Sequence, residues 1–232
     1  MILKADDLSF HYEPGRPVFS GLSFETASGR IMGVAGANGS GKTTLINILA
    51  GLLRPRQGQL RLGDEVDRAA SERLQAASAL VPQNIDHWLL GETGREDLTL
   101  GLNLKEAETA GLIEELTRRW RLASILDAPV EALSAGQKKR LAMAAALAKK
   151  PCAVFLDEPF SGLDWPGAQT MLDDLKRLKE SAVITVMVSH DPALAAPLVD
   201  DWLLLKDGLG RFGSGPEIYR RFAEFGVRPL LS

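Results

Sequence analysis

The stretch Gly36-Ala37-Asn38-Gly39-Ser40-Gly41-Lys42-Thr43 decides how the rest of the chain is read. It sets a glycine, four free positions and then Gly-Lys-Thr, the spacing of a P-loop. A phosphate needs backbone N–H groups aimed at it and no side chains in the way, so Gly36, Gly39 and Gly41 suit a loop wrapping an anion at a helix N-terminus. The flanks agree. Arg30-Ile31-Met32-Gly33-Val34-Ala35 is a short, mainly apolar run suited to a buried strand, and Leu45, Ile46, Ile48, Leu49 and Leu52 follow at helical spacing. In that setting Lys42 reaches the β/γ-phosphates of a nucleotide and the Thr43 hydroxyl ligates Mg²⁺. Ala37, Asn38, Ser40 and Thr44 complete the expected contact surface. The competing reading is an ordinary glycine-rich turn, which the strand–loop–helix context disfavours.

Working outward, Leu8, Phe10 and Tyr12 alternate with polar residues as a half-buried strand, and Val18 to Phe24 returns after the turn Glu13 to Pro17. Tyr12 ends the first strand where an aromatic could stack on a purine, although a core or surface aromatic would look the same. Gln59 to Leu62 is another strand, Ser71 is a candidate cap for a short helix, and Ser78 to Gln83 is a core strand ending in a polar residue. From about 84 to 150 the pattern is helical, with Ala107, Leu112, Ile113, Leu116 and Trp120 on one face. Cys152 to Glu158 is a buried strand running into two carboxylates. Pro166 to Leu178 is a helix, Ala182 to Val188 and Asp201 to Leu205 are strands, and Gly215 opens a last short helix. Continuous apolar strands alternating with helices predict an α/β fold: a P-loop NTPase core with a mostly parallel sheet, an N-terminal antiparallel β subdomain and a helical insert, all within one domain spanning 1–232.

A net charge of −3 and the absence of a basic stripe argue against nucleic acid. Lys138-Lys139-Arg140 is the nearest to a basic cluster and reads as a solvated helix face. Cys152, the single cysteine, excludes a disulfide framework and a cysteine-based metal site, and its apolar surroundings make it a small core residue. The three histidines are scattered. The start at Met1 lacks the pattern of a signal peptide, and no apolar run approaches the ~18 residues that span a bilayer. The expectation is a cytosolic chain that reaches a membrane through a partner.

Asp157 closes an apolar strand, the position from which a carboxylate organises the metal of a P-loop site, and Glu158 can act on the water that attacks the γ-phosphate. Leu133-Ser134-Ala135-Gly136-Gln137 precedes a helix, a second phosphate-facing helix start that one nucleotide does not need from one chain. Read alone, it is only a helix cap.

Taken in order, Gly36 to Thr43, Gln83, Leu133 to Gln137, Val154 to Glu158, Ser161 to Asp164 and His190 resemble the Walker A, Q-loop, signature, Walker B, D-loop and H-loop of the ABC-transporter ATPases. The resemblance covers nearly the whole chain. It places Tyr12 where that family has an adenine-stacking aromatic. It implies a sandwich of two subunits around two ATP molecules, with the Walker motifs of one chain facing Ser134, Gly136 and Gln137 of the other. It further implies that Gln83 senses the metal beside Thr43 and Asp157, that His190 holds the γ-phosphate, and that Asp164 communicates across the dimer. Ala135 and Gly162 replace a commoner Gly and Ala, small for small.

A finer similarity lies in Gln83 to Trp88, Thr93 and Glu96 to Gly101, which resemble the ATPases of energy-coupling-factor transporters, importers of vitamins and metal ions. Ile85, Trp88 and Gly94 depart from that group's usual Pro, Gln and Val, and the chain stops soon after Phe225 without the C-terminal extension of some members. The implied protein is an ATP-hydrolysing subunit at the cytoplasmic face of the membrane. Its implied partners are a second ATPase subunit, identical or paralogous, and integral-membrane subunits docked on the segment Asp86 to Leu98, where Trp88, Leu89 and Leu90 form an apolar cluster. The opposing view buries Trp88 in the helical insert. A soluble relative acting on DNA or ribosomes is the alternative, disfavoured by the single motif set and lack of heptad arms. A non-hydrolysing regulator is disfavoured by Glu158.

Overall fold

A computed structural model of the chain describes residues 1–102, 105–190 and 192–229. Two sheets carry the fold. The first is antiparallel, in the order β2-β1-β4-β5, formed by β1 (Ile2–His11), β2 (Pro17–Ala27), β4 (Gln57–Leu62) and the short β5 (Glu65–Val66). The second has the order β10-β9-β3-β8-β7-β6, from β3 (Ile31–Gly36), β6 (Ser78–Val81), β7 (Ala153–Asp157), β8 (Ile184–Val188), β9 (Asp201–Lys206) and β10 (Leu209–Gly213). Strands β9, β3, β8, β7 and β6 run parallel, and β10 adds an antiparallel edge. The fold is therefore α/β with a mostly parallel sheet and an antiparallel N-terminal sheet, as the sequence pattern predicts.

Strands β3 and β8 are buried along their whole length, which is why they read as unbroken apolar runs. One face of the parallel sheet packs on helices and collects Trp120, Leu141, Leu175 and Trp202; the other packs on α1 (Lys42–Leu49) and the antiparallel sheet through Leu45, Ile48, Phe19 and Phe155. Gly33 in β3 lies against the Trp202 ring, and any Cβ there would run into it. Between β6 and β7 the chain is helical: α3 (Gly94–Thr99), α4 (Glu106–Trp120) and α5 (Ala135–Ala148), with α2 (Arg68–Ala77) before β6. Beyond β7 come α6 (Trp165–Glu180) and α7 (Gly215–Arg220). Alanines at 142, 144, 145 and 146 are all buried, letting α5 sit close to its neighbours.

Three local expectations are corrected. Ser71 does not cap α2 but lies buried inside it; the helix starts after Asp67, whose carboxylate accepts from Leu60 N at 3.2 Å and so serves β4 instead of the helix. Cys152 is half-buried rather than a core residue, since it precedes β7 at the sheet margin; partial burial still pushes its thiol pKa up. The basic run 138–140 is not a solvated face: Lys139 is 6% exposed and Lys138 and Arg140 are half-buried, because each reaches a different neighbouring element.

Candidate nucleotide site

The P-loop, Gln83, Asp157, Glu158 and His190 converge because they follow the carboxyl ends of adjacent parallel strands. Val34 of β3, Val188 of β8 and Asp157 of β7 are register partners, so the P-loop, His190 and the two carboxylates leave the sheet side by side; Val81 pairs with Leu156 and sends Gln83 to the same edge. A cleft of about 450 Å³ there is lined by Tyr12, Lys42, Thr43, Gln83, Asp157 and Glu158, among others.

The P-loop is built for an anion. Gly39 and Gly41 have left-handed φ of 78° and 95°, and a Cβ at Gly39 would project into open space where the loop is hollow. Helix α1 begins at Gly41 with no side-chain cap, leaving its first amides without intrahelical carbonyl partners. Ser40 Oγ is buried and unpartnered, and Asn38 stands exposed beside it. Lys42 Nζ donates to the carbonyls of Gly36 (2.9 Å) and Ala37 (3.0 Å). Burial lowers its pKa, with the Glu158 and Asp157 carboxylates pulling the other way. An ammonium satisfied only by loop carbonyls and a bare helix start are groups a polyphosphate would complete.

Thr43 Oγ1 donates to Asp157 Oδ2 at 3.4 Å, a loose pair of hard oxygen donors. Burial raises the Asp157 pKa and the Glu158 carboxylate pushes the same way, overcoming the Thr43 hydrogen bond and Lys42. A hydroxyl and an electrostatically stressed carboxylate fit a divalent cation of the Mg²⁺ type. Gln83 lines the same cleft, but its amide is engaged there by another residue: Nε2 donates to Ser161 Oγ at 3.4 Å.

Glu158 sits at φ 51°, a strained left-handed residue, 8% exposed. Its Oε2 accepts from His190 N at 3.2 Å and lies 2.7 Å from His190 Nδ1, so the imidazole donates through Nδ1 to the carboxylate. The sequence gives no warning of this pair, since 32 positions separate the partners. Tyr12 is 60% exposed, stacks edge-on to Phe10 at 5.0 Å and shares a hydrogen bond with Thr44 Oγ1 at 3.1 Å. The ring is thus free of the core and held at the mouth of the cleft.

Ser134 and Gly136 are not in that cleft. They line a separate one of about 340 Å³ with Gln137, Gly162, Asp164 and Gly167. Ser134 caps α5 in a reciprocal box: Ser134 N donates to Gln137 Oε1 (2.8 Å) and Gln137 N to Ser134 Oγ (3.3 Å). Gln137 is thereby occupied by the helix start. Asp164 caps α6, accepting from Gly167 N at 2.9 Å. Gly162 adopts φ 72°, a conformation that favours glycine over the alanine common there. Among the described residues no cluster of three His, Cys, Asp or Glu side chains forms a self-sufficient metal site.

The segment after Gln83 packs only partly into the helical insert. Trp88 is half-buried against the helical core, Ile85 and Leu89 are buried, and Leu90 alone is 73% exposed. A groove of about 720 Å³ runs beside it, lined by Asp86, Leu90, Glu92, Glu131 and Lys138 among others. The unusual Gly94 is explained by close packing: a Cβ there would meet the carbonyls of Ile125 and Leu126 at 3.2 Å.

Comparison with known proteins agrees with this geometry. The family described as ABC transporter matches residues 19–161. The cobalt import ATP-binding protein CbiO of Rhodobacter capsulatus is 35% identical over 99% of this chain and 86% of its own length. The energy-coupling factor transporter ATP-binding protein EcfA1 of Bacillus licheniformis is 31% identical over 94% of this chain and 80% of its own. The solved structure of cbiO1 from Clostridium perfringens, part of the ABC transporter complex cbiONQ, superposes with a TM-score of 0.86 at 26% identity, covering 94% of this chain and 90% of that one.

Proposed function

Because the chain belongs to the ABC transporter family and is one of its ATP-binding, ATP-hydrolysing subunits, we propose that it works as half of a two-subunit sandwich energising an importer of the energy-coupling-factor type. The observation that carries this reading is the separation of the two phosphate-facing helix starts. Lys42 and Glu158 line one cleft, Ser134 and Gly136 another, so a complete site needs the second cleft of a second chain.

Within one site, Lys42 and the amides of α1 bind the β- and γ-phosphates, Ser40 and Asn38 close the loop, and Tyr12 offers its ring to the adenine. Thr43 and Asp157, with Gln83 once released from Ser161, would hold Mg²⁺, which when bound would supply positive charge to the phosphates. Glu158 orients and deprotonates the attacking water. His190 donates one ring N–H to Glu158; holding the γ-phosphate with the other would require the imidazolium form. Ser134 and Gly136 of the second chain face the same γ-phosphate, and Asp164 sits where the chains meet.

Among the described residues no helix is long and apolar enough to cross a membrane. We assign the chain to the cytoplasmic face, bound through integral-membrane subunits that seat on the groove beside Leu90. The similarity to a cobalt import subunit supports a metal ion as cargo, and the resemblance to the energy-coupling-factor group, importers of vitamins and metal ions, adds a vitamin as the other class. The test is co-expression with candidate energy-coupling-factor membrane subunits and uptake in vesicles. ATP-dependent accumulation of a labelled metal ion or vitamin is expected. Purification without such subunits, together with ATPase stimulated by DNA or ribosomes, would overturn it.

A further inference from the structure

Three consecutive basic residues near the start of α5 point about 100° apart and each binds a different element. Lys138 Nζ donates to Asp86 Oδ1 at 2.7 Å, in the segment after Gln83. Arg140 Nε donates to Asp174 Oδ2 at 3.3 Å, a buried carboxylate of α6 that Arg177 also engages at 2.7 Å. Between them, Lys139 Nζ donates to three backbone carbonyls in the turn after β7: Glu158 at 3.1 Å, Pro159 at 2.9 Å and Ser161 at 2.5 Å. All three donors of the ammonium are used.

A buried amine is an expensive way to fill space. Burial pushes the Lys139 pKa down to about 8, with Glu158 pulling it back up. An apolar side chain could pack there without that cost. What the ammonium supplies is a fixed point for the one strained residue of the site. Glu158 is held at both ends, its carbonyl by Lys139 and its carboxylate by His190.

We propose that Lys139 is a positioning residue for hydrolysis: through the carbonyls of 158, 159 and 161 it sets where Glu158 aims its carboxylate and ties that aim to the helix beginning at Ser134. Ser134 serves one nucleotide and Glu158 the other, so the contact also links the two sites of a dimer. The inference rests on the reading of Glu158 as the group that prepares the water.

The experiment uses the full chain with Mg-ATP and compares Lys139→Met, Lys139→Arg, Glu158→Gln and the double variant Lys139→Met/Glu158→Gln. Lys139→Met should lower kcat by about 10-fold or more, with KM and equilibrium ATP affinity changed by less than about 2-fold, as for loss of an interaction made in the transition state. Lys139→Arg, which keeps the cationic donors, should recover most of kcat. In the Glu158→Gln background, Lys139→Met should cause no further loss, because a residue that acts through Glu158 has nothing left to position. An independent multiplicative loss there, or wild-type kcat in Lys139→Met, overturns the proposal. Near-wild-type turnover of Glu158→Gln alone overturns the reading of Glu158 instead. Should Lys139→Met fail to fold, Lys139→Gln, which retains two donors, takes its place with the same criteria.

Discussion

Replacing Glu158 with Gln keeps the shape of the side chain and an oxygen that can accept from His190 N, now at 3.2 Å, but removes the charge that the imidazole faces at 2.7 Å. On stability the change is small. A charge-assisted hydrogen bond becomes a neutral one, a difference of about 1 kcal/mol. For a chain of this size that moves Tm by about 2–4 °C. On catalysis it is large, since a general base contributes about 10²–10⁴ in rate, equivalent to about 3–5 kcal/mol of barrier. Phosphate release under saturating Mg-ATP should therefore fall at least a hundredfold, in the sense of that about 10² lower bound, while ATP binding persists. Arrested before hydrolysis, the variant should run as a dimer on gel filtration with Mg-ATP and as a monomer without it. Wild-type turnover, or only monomer in Mg-ATP, would refute the role given to Glu158.

Asp157→Asn should separate stability from function. The folded pKa of Asp157 lies above its unfolded value, so its stabilising contribution exists below the unfolded pKa and is lost as pH rises through the folded one; at neutral pH the half-buried carboxylate is a liability. The variant should melt no lower than the wild type without nucleotide, yet lose the extra thermal protection that Mg²⁺ adds to ATP. Gly41→Ala should cost about 1–3 kcal/mol, because the residue holds φ 95° and its Cβ would meet Val18 Cγ1 at 2.6 Å; a lowered Tm and weakened ATP binding check this. Leu90→Asp should leave folding and the basal ATPase of the isolated chain intact while reducing recovery of the chain with its membrane subunits, because Leu90 is the exposed apolar member of its segment.

The architecture was legible where backbone chemistry forces the residue type. A loop around a phosphate requires glycines, and strands buried on both faces require apolar runs, so β3, α1, β7 and β8 could be placed from spacing alone. The Asp207-Gly208 turn has φ of 50° and 79° and closes the β9–β10 hairpin, a signal present in the sequence but missed because β10 is mostly exposed and lacks alternation. Long-range partnerships could not be read. Nothing local to Lys139 distinguishes a solvated lysine from one that reaches 19 to 22 positions along the chain, and the same holds for the pairing of His190 with Glu158. Trp88 and Leu90 are two positions apart in one apolar cluster, yet only tertiary packing decides that the first turns inward and the second outward.

The central claim, that each nucleotide site is assembled from two chains, is tested most directly by mixing two dead variants. Lys42→Ala removes the phosphate-binding ammonium of one cleft, and Ser134→Arg fills the other. Each alone should be nearly inactive. If the clefts meet between chains, random re-pairing makes about half the dimers mixed, each with one intact site of two, and independent sites return about a quarter of the wild-type ATPase rate. Cysteines introduced near Ser40 of one variant and Ser134 of the other should then cross-link between chains in Mg-ATP. Absence of both recovered activity and inter-chain cross-linking would contradict the shared site.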